Sequence, residues 1–169
     1  RRLPPRAPRT LLDYGAGGGG FLLRARARGW SVRGFEPGGR GLEACRNLGL
    51  EVSKALDDLP SGAFGLVTLH HVLEHLANPA EALHGIRRLL APDGRLFVEV
   101  PNAGSLRARL AMPLLSHRWG VDERYRAFPI HLMYYTGATL RRMLERAGWV
   151  VEASSTVGLG MDEFFVRPD

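Results

Sequence analysis

Acidic residues stand at the ends of the apolar, strand-length segments in the first half of this chain of 169 residues. They are Asp13, Glu36, Asp57 or Asp58, and Glu74. If these segments are parallel strands of one sheet, their carboxyl ends meet at one edge, where open α/β sheets bind ligands. Four carboxylates at one edge of a chain whose net charge is +6 predict a ligand that carries positive charge.

A glycine-rich loop follows the first of these carboxylates, with five glycines among residues 15–20 in the stretch YGAGGGGF. Glycine permits close approach of a ligand and backbone conformations that other residues avoid. Gly15, Gly17 and Gly20 fit G-x-G-x-x-G, whereas Gly15, Gly17 and Gly19 fit G-x-G-x-G. The loop therefore favours an adenosine-containing ligand, either a dinucleotide or S-adenosylmethionine, and a tight turn without a ligand is the alternative.

Glu36 and the other carboxylates bear on the choice of ligand. Glu36 lies about 20 residues after Gly15, at the end of the second strand, where a carboxylate accepts hydrogen bonds from ribose hydroxyls. A dinucleotide brings a pyrophosphate dianion, whereas S-adenosylmethionine has a sulfonium cation, an ammonium group and no phosphate. The carboxylates favour S-adenosylmethionine, and an NAD-dependent oxidoreductase remains an alternative that leaves them unexplained.

The elements that must position these residues alternate between strands and helices, as in a parallel sheet covered on both faces. We predict an α/β fold with a Rossmann-like, doubly wound sheet. The expected strands are residues 10–14, 31–36, 50–54, 63–70 and 95–100. The expected helices are residues 21–28, 39–49, 79–90 and 137–147. A turn at 92–94 precedes the fifth strand, and the segments WVVEASSTV and MDEFFVR predict an antiparallel terminal hairpin.

Two of the predicted helices have clear boundaries. Asn78 is the expected N-cap of one, with Pro79 in its first turn and Glu81 three residues after the cap. The other begins after the N-cap Thr136 and ends at Gly148. Its apolar side chains have helical spacing and are Leu140, Met143, Leu144 and Ala147. An earlier helix is expected to place three apolar residues on one side: Leu42, Cys45 and Leu48.

Composition limits the class of protein. With 45% hydrophobic and 24% charged residues, the chain is expected to form one soluble domain over residues 10–169. Residues 1–9 are expected to be a flexible, basic and proline-rich leader or part of a longer protein. No apolar run approaches the roughly 20 residues of a membrane helix. The single cysteine, Cys45, predicts a cytoplasmic location. All 23 basic residues except Lys54 are arginines, and they are scattered, so a nucleic-acid partner is not expected.

Several stretches together resemble the class I S-adenosylmethionine-dependent methyltransferases. They are LLDYGAGGGGFL, the strand-end Glu36, FGLVTLHHVLEHLANP, LLAPDGRLFVEVPN and HLMYYTGATLRRMLERAGW. The resemblance extends over about residues 10–167 and is strongest to ubiquinone-biosynthesis O-methyltransferases and the methyltransferases of sugar and polysaccharide gene clusters. It implies a seven-stranded sheet of order 3-2-1-4-5-7-6 with strand seven antiparallel. It also implies methyl transfer to a small molecule by in-line displacement, with S-adenosyl-L-homocysteine as the product.

The resemblance assigns the cofactor-binding residues in groups. Those lining the methionine end are Asp13, Gly15, Gly17 and Gly19. Those at the ribose and adenine are Glu36 and either Asp57 or Asp58. Those in the segment beneath the cofactor are His70, His71 and Glu74. The neighbours that complete the expected set are Ala16, Phe21 and Pro37. Gly65 stands where the family frequently has an Asp. The N-terminal helical segment that often covers the family's active site is not expected in residues 1–9.

A polar and aromatic insertion is expected at residues 103–135, over the mouth of the active site. Trp119 and Tyr125 are its substrate candidates, although a loop that only covers the sheet edge is an alternative. His131 is the candidate general base for the acceptor's proton, with a structural hydrogen-bonding role as its alternative. The other histidines that could serve as a base are His70, His71, His75 and His117.

Methyl transfer from a sulfonium mainly requires alignment of the nucleophile and exclusion of water. We therefore expect no obligatory acid pair. His71 and His75 have the i, i+4 spacing of a helical metal site, but the wider resemblance explains this segment and no metal site is expected. A noncatalytic S-adenosylmethionine-fold module of a larger biosynthetic protein is the alternative from another functional class.

Overall fold

Seven strands lie side by side in the part of the chain that the structure describes. The computed structural model describes residues 7–105, 132–157 and 161–169. The strands are β1 (Thr10–Tyr14), β2 (Ser31–Phe35), β3 (Val52–Ser53), β4 (Phe64–His70), β5 (Leu90–Pro101), β6 (Trp149–Val157) and β7 (Met161–Pro168). Their order is β3-β2-β1-β4-β5-β7-β6, and β7 pairs antiparallel with β5 and β6. The α/β class, the implied strand order and the terminal hairpin are confirmed.

Helices cover both faces of this sheet. The described helices are α1 (Gly20–Arg26), α2 (Gly39–Asn47), α3 (Pro79–Leu89) and α4 (Gly137–Arg146). Neighbouring residues of a strand point to opposite faces. Leu11 packs in a cluster with Leu22 of α1, whereas Leu12 packs in a larger cluster with Ile86 of α3 and Leu144 of α4. The apolar continuity of β1 is therefore explained by burial on both of its sides.

The predicted helix caps are present. The Asn78 side chain accepts a hydrogen bond from the Glu81 backbone N–H at 3.3 Å, at the start of α3. Thr136 and Thr139 form a reciprocal pair at the start of α4, in which each side-chain oxygen accepts from the other residue's backbone N–H, at 2.8 and 3.2 Å. Local sequence signals of this kind are reliable because the cap and its partner are only three residues apart.

Leu48 is more exposed than the other two apolar residues predicted on one side of α2. Helix α2 ends at Asn47, so Leu48 occupies the C-cap and is 42% exposed, while Leu42 and Cys45 are buried. Cys45 and Leu48 nevertheless lie on the same side, since an added Cβ at Gly19 would be 3.1 Å from the Cys45 sulfur and 3.5 Å from a Leu48 methyl.

The start of β5 also differs from the prediction. The strand begins at Leu90, where it pairs with Phe64 of β4, and the pairing resumes between Arg95 and Leu66. The predicted turn at 92–94 is therefore an irregularity inside a longer strand, since pairing continues on both sides of it. Local sequence shows the turn but not the pairing that surrounds it.

The two ends of the predicted insertion meet at the carboxyl edge of the sheet. Asn102 and Tyr135 form an isolated parallel bridge, strengthened by a neighbouring backbone hydrogen bond of 2.8 Å to the Tyr135 carbonyl. The backbone N–H groups of Leu132 and Met133 donate to the Glu74 carbonyl at 2.8 and 3.1 Å. The carboxyl-terminal end of the insertion is thus fixed to the segment that follows β4, and the amino-terminal end is fixed to Tyr135.

Some predicted features lie outside the described residues. They are the substrate candidates Trp119 and Tyr125, the base candidate His131 and residues 1–6 of the leader. The end of the leader is described, and the Arg9 carbonyl accepts a hydrogen bond from the Ser31 N–H at 3.0 Å. Arg9 therefore continues the contacts of β1 with β2.

Gly65 of β4 packs against the backbone of Pro8, one of the first residues that the structure describes. A Cβ atom built at Gly65 would overlap the carbonyl oxygen of Pro8. We expect Gly65→Asp, which introduces the family's frequent residue, to lower the free energy of unfolding by about 1 to 3 kcal/mol, because the backbone at Pro8 must move. Denaturant unfolding measures the change. Gly39→Ala is the control, since its added Cβ meets nothing within 4 Å, and equal stability of the two variants would contradict the prediction.

Candidate functional site

The pairing register brings the predicted polar residues together on the α1 side of the sheet. Asp13 of β1 is paired with Thr68 of β4, and two residues further along β4, His70 is paired with Glu99 of β5. Paired residues of adjacent strands point to the same face of a sheet. These four side chains therefore form one polar group at the carboxyl ends of the three central strands.

Asp13 is a buried carboxyl group, with 4% of its surface exposed. The Thr68 hydroxyl donates to Asp13 Oδ1 at 2.7 Å. Burial raises the pKa of Asp13 from 3.8 to about 6; the Thr68 hydrogen bond and His70 oppose the rise, and Glu36 adds to it. A cation bound beside Asp13 would stabilise its ionised form, so the group is suited to a positively charged ligand.

The glycine loop after β1 has three residues in the left-handed region. The φ angles of Gly15, Gly17 and Gly19 are 83°, 50° and 78°. An added Cβ would lie 2.5 Å from a Val72 methyl at Gly15 and 2.6 Å from a Leu50 methyl at Gly19, but would meet nothing within 4 Å at Gly17. Gly15 and Gly19 are therefore required by packing, whereas Gly17 borders open space into which a ligand can fit.

Glu36 joins two backbone segments at this edge. Its Oε2 accepts a hydrogen bond from the Gly17 N–H at 2.7 Å, and its Oε1 accepts from the Gly38 N–H at 2.8 Å. An added Cβ at Gly41 of α2 would lie 2.8 Å from Glu36 Cγ. The start of α2 thus packs closely around the Glu36 side chain and holds its carboxylate beside the open space at Gly17.

His71 follows β4 and has a φ of 54°, which non-glycine residues rarely adopt. Its backbone N–H donates to the Glu99 carbonyl at 3.0 Å. Its ring lies between two carboxyl groups, with Nε2 3.2 Å from Glu99 Oε1 and Nδ1 3.6 Å from Glu74 Oε1. Hydrogen bonding to the Glu74 side chain, aided by the negative charges of Glu74 and Glu99, raises the pKa of His71 despite the opposing effect of burial.

His70 is held by aromatic rings. Its ring centroid lies 4.5 Å from that of Phe21 in α1 and 5.2 Å from that of Phe97 in β5. Its Nδ1 is 3.6 Å from Glu99 Oε1. His70 therefore connects the first turn of α1, which follows the glycine loop, with the carboxyl end of β5.

Glu74 and Tyr135 are buried polar groups without hydrogen-bond partners for their side chains in the described part of the chain. Glu74 is 1% exposed, and neither of its carboxyl oxygens has a hydrogen bond. The Tyr135 hydroxyl is likewise buried and unpaired. Burial, with a smaller effect of Glu74, raises the pKa of Tyr135 to about 12. Unpaired buried polar atoms are costly, and they concentrate at functional sites.

Four other residues of the predicted cofactor-binding set lie outside this polar group. Ala16 is buried in the α1 and α2 cluster, and Pro37 is exposed at the carboxyl edge next to Glu36. Asp57 and Asp58 belong to a short 3₁₀ turn after β3. The Asp57 carboxylate is 3.2 Å from an Arg88 nitrogen at the far end of α3.

Three residues of this site were not predicted from the sequence: Thr68, Glu99 and Tyr135. Thr68 is a polar residue within the apolar run of β4, two positions before His70, and that alternation was a usable signal. Glu99 is likewise a charged residue inside the apolar run RLFVEVP. Tyr135 has no comparable signal, because its burial depends on the bridge to Asn102.

The described residues fit S-adenosylmethionine better than a dinucleotide. The Glu36 carboxylate lies beside the open space at Gly17, and the buried carboxyl group of Asp13 interacts with it electrostatically. A pyrophosphate would meet negative charge there. Within the described ranges, no group of three or more His, Cys, Asp or Glu side chains could hold a metal ion. None of the helices in those same ranges has the length and apolar character needed to cross a membrane.

Comparison with known proteins agrees with S-adenosylmethionine as the cofactor. Residues 1–154 match the family model described as "Methyltransferase domain". A ubiquinone biosynthesis O-methyltransferase of Pseudomonas paraeruginosa is 34% identical over 107 residues, which is 57% of this chain and 46% of that protein. One of Aeromonas salmonicida is 30% identical over 163 residues, covering 88% of this chain and 66% of that protein. The chain spans about half the length of the first of these relatives.

Solved structures share the fold. A S-adenosylmethionine-dependent methyltransferase from Archaeoglobus fulgidus has a TM-score of 0.71 at 18% identity, covering 95% of this chain and 86% of that chain. One from Mesorhizobium loti has a TM-score of 0.71 at 17% identity, covering 98% and 93%. With the family match over most of its length and this fold, the chain belongs to the class I S-adenosylmethionine-dependent methyltransferase family.

Proposed function

We propose that this chain catalyses S-adenosylmethionine-dependent methylation of a small-molecule acceptor at the carboxyl edge of β1, β2 and β4. The observation that carries the proposal is the open space at Gly17, whose N–H is held by the Glu36 carboxylate, together with the buried carboxyl group of Asp13, whose pKa the Glu36 charge helps to raise. The family membership supports methyl transfer, and the names of the relatives support an acceptor oxygen. The lone, buried Cys45 supports a cytoplasmic location.

Different residues of the chain would bind different parts of the cofactor. Asp13 and Glu36 would hold the two polar ends of the cofactor, and the backbone at Gly17 would lie against it. The cofactor supplies a methyl group on a sulfonium, an activated leaving group. Phe21 and His70 would limit water at this edge, which favours in-line attack by the acceptor.

The acceptor would enter over the ends of the insertion. Asn102 and Tyr135 are joined at its base, close to the Glu74 segment. We propose that Trp119 and Tyr125 contact the acceptor, because the insertion leaves and re-enters the fold at this edge. His131 directly precedes the Leu132 anchor and stays a candidate base.

Isothermal titration with S-adenosylmethionine, S-adenosylhomocysteine and NAD tests the cofactor. Micromolar binding of the first two without NAD binding is expected, and the reverse would reject the proposal in favour of an oxidoreductase. A panel of phenols, sugars and amines with labelled cofactor then tests turnover. Cofactor binding without methylation of any acceptor by the full-length protein would favour a noncatalytic module.

Glu36→Ala is expected to weaken S-adenosylhomocysteine binding by about 1 to 3 kcal/mol, the usual cost of losing a charged hydrogen-bond acceptor. The variant also frees the N–H groups of Gly17 and Gly38 that Glu36 holds. Calorimetry measures the affinity. Glu51→Ala is the control, because Glu51 makes an exposed ion pair with Arg33. An unchanged affinity in Glu36→Ala would remove Glu36 from the site.

A further inference from the structure

Asp162 is a buried carboxyl group that lies outside the proposed cofactor site. It is 2% exposed on β7 and is paired with Val100 of β5 and Thr156 of β6. Alternation along β7 places it on the same face as Phe164, which packs in the cluster with α3 and α4. Asp13 lies on the opposite face and three strands away, roughly 14 Å at the spacing of neighbouring strands.

The Asp162 carboxylate connects the end of β5 to the terminal hairpin. Its Oδ1 accepts hydrogen bonds from the Thr156 hydroxyl at 2.7 Å and from Asn102 Nδ2 at 3.0 Å. Asn102 Oδ1 in turn accepts a hydrogen bond from the Gly104 N–H at 2.7 Å. The Asn102 side chain therefore transmits the position of Asp162 to the first residues that follow β5.

The same carboxylate lies against the start of α4. Asp162 Oδ2 is buried and has no hydrogen-bond partner within the described ranges. An added Cβ at Gly137, the first residue of α4, would lie 3.1 Å from this oxygen. The N–H groups at the start of a helix carry partial positive charge, and the missing side chain at Gly137 lets the carboxylate approach them. Asp162 thus contacts both segments that bound the insertion.

Packing alone does not explain a carboxylate at this position. A buried charge with one unpaired oxygen is unfavourable for folding. Phe164 and Val166, which follow Asp162 on the same face of β7, are buried apolar residues. The charge instead holds two segments that are distant in the sequence and that meet at the bridge between Asn102 and Tyr135.

We propose that Asp162 is a positioning residue for the acceptor. By holding Asn102 and the start of α4, it fixes the bridge between Asn102 and Tyr135. This inference rests on the proposed function, in which the acceptor enters over that bridge. Because Asp162 touches neither the methyl donor site nor the reacting atoms, its loss should weaken acceptor binding and leave the affinity for the donor unchanged.

The first test needs neither acceptor nor cofactor. Hydrogen exchange followed by NMR reports the opening of the Ala103 N–H, which donates to the Tyr135 carbonyl at 2.8 Å. Asp162→Ala should speed this exchange by about tenfold or more. The Gly34 N–H, which donates to the Glu51 carbonyl between β2 and β3, should change by less than about twofold. Equal acceleration at both amides, or none at Ala103, would overturn the inference.

Paired variants test the contact between the two side chains. Asn102→Asp places a second carboxylate against Asp162, so repulsion should speed exchange at Ala103 at neutral pH. Adding Asp162→Asn removes the repulsion and should recover most of that loss. Glu163→Gln is the matched control, the same change at the next residue of β7, where the carboxylate accepts from the Ser155 hydroxyl at 3.3 Å. A double variant that exchanges as fast as Asn102→Asp would contradict the proposed contact.

The second test uses phenol as the probe acceptor, with labelled S-adenosylmethionine. Asp162→Ala should raise the KM for phenol by about 5- to 20-fold while kcat stays within about threefold. Affinity for S-adenosylhomocysteine should stay within about twofold, since the donor site is on the other face of the sheet. A merely structural role would not separate KM from kcat in this way. Weaker S-adenosylhomocysteine binding with an unchanged KM for phenol would assign Asp162 to the donor site and overturn the inference.

The outcomes separate this inference from the proposed function. Failure of the wild type to bind S-adenosylhomocysteine would reject the proposed function itself. Normal binding with an unchanged KM for phenol in Asp162→Ala would reject only the positioning role. If phenol is not methylated, the comparison of exchange at Ala103 and Gly34 decides whether Asp162 fixes the bridge.

Discussion

Gly17→Val is expected to abolish binding of S-adenosylmethionine and S-adenosylhomocysteine while the sheet stays folded. An added Cβ at Gly17 meets no protein atom within 4 Å, so a branched side chain there would occupy the space proposed for the ligand. We expect at least a 100-fold loss of affinity. The φ of 50° adds strain of about 1 to 3 kcal/mol to the folded state.

Gly19→Val is the matched control for this result. Its φ of 78° gives similar backbone strain, but its Cβ would lie 2.6 Å from a Leu50 methyl and 3.1 Å from the Cys45 sulfur. This variant should lose an additional 1 to 3 kcal/mol of stability, roughly, from overpacking. Denaturant unfolding and calorimetry distinguish the two variants. Wild-type affinity in Gly17→Val would show that the glycine serves only the turn.

Asp13→Asn is expected to stabilise the protein at neutral pH while weakening cofactor binding. The folded-state pKa of Asp13 is raised from 3.8 to about 6. A carboxyl group with a raised pKa favours folding only while it is protonated, so its contribution is lost as pH rises from 3.8 to about 6. The full shift corresponds to about 3 kcal/mol. Asn is neutral and can still accept the Thr68 hydroxyl.

The gain in Asp13→Asn should therefore be absent at pH 3.5 and reach about 1 to 3 kcal/mol above pH 7, as measured by the pH dependence of Tm and of denaturant unfolding. The affinity for S-adenosylhomocysteine should fall about 10- to 100-fold, the cost of losing a charged partner. Wild-type affinity should weaken as pH falls through about 6, and this dependence should vanish in Asp13→Asn. A variant that is less stable than wild type at pH 8 would contradict the burial argument.

The features predicted best are those that the sequence encodes locally. The caps at Asn78 and Thr136 depend on partners three residues away, and the strands from β1 to β4 follow from apolar runs bounded by glycine or polar residues. The carboxylates Asp13 and Glu36 were also predicted from their positions at strand ends. In all these cases a short stretch contains both the signal and its physical cause.

The features that were missed or misplaced depend on contacts between distant residues. The exposure of Leu48 depends on where α2 ends, and the turn at 92–94 becomes part of β5 through its pairing with β4. The orientation of Asp57 depends on Arg88, which comes from a different helix. The strand order came from the family resemblance, because no periodicity states which strands are neighbours. The positive φ of His71 has no local sequence signal.

The bridge between Asn102 and Tyr135 has a consequence for how acceptor preference can diverge in evolution. Since the chain leaves and rejoins the fold at almost one point, lengthening the intervening segment costs only the closure entropy of a loop, about 0.6 kcal/mol for each doubling. Segments of different length can be exchanged between these two anchors without disturbing strand register. On the proposal that this segment contacts the acceptor, recombination at this junction can diversify acceptor recognition while the methyl-donor site is inherited unchanged.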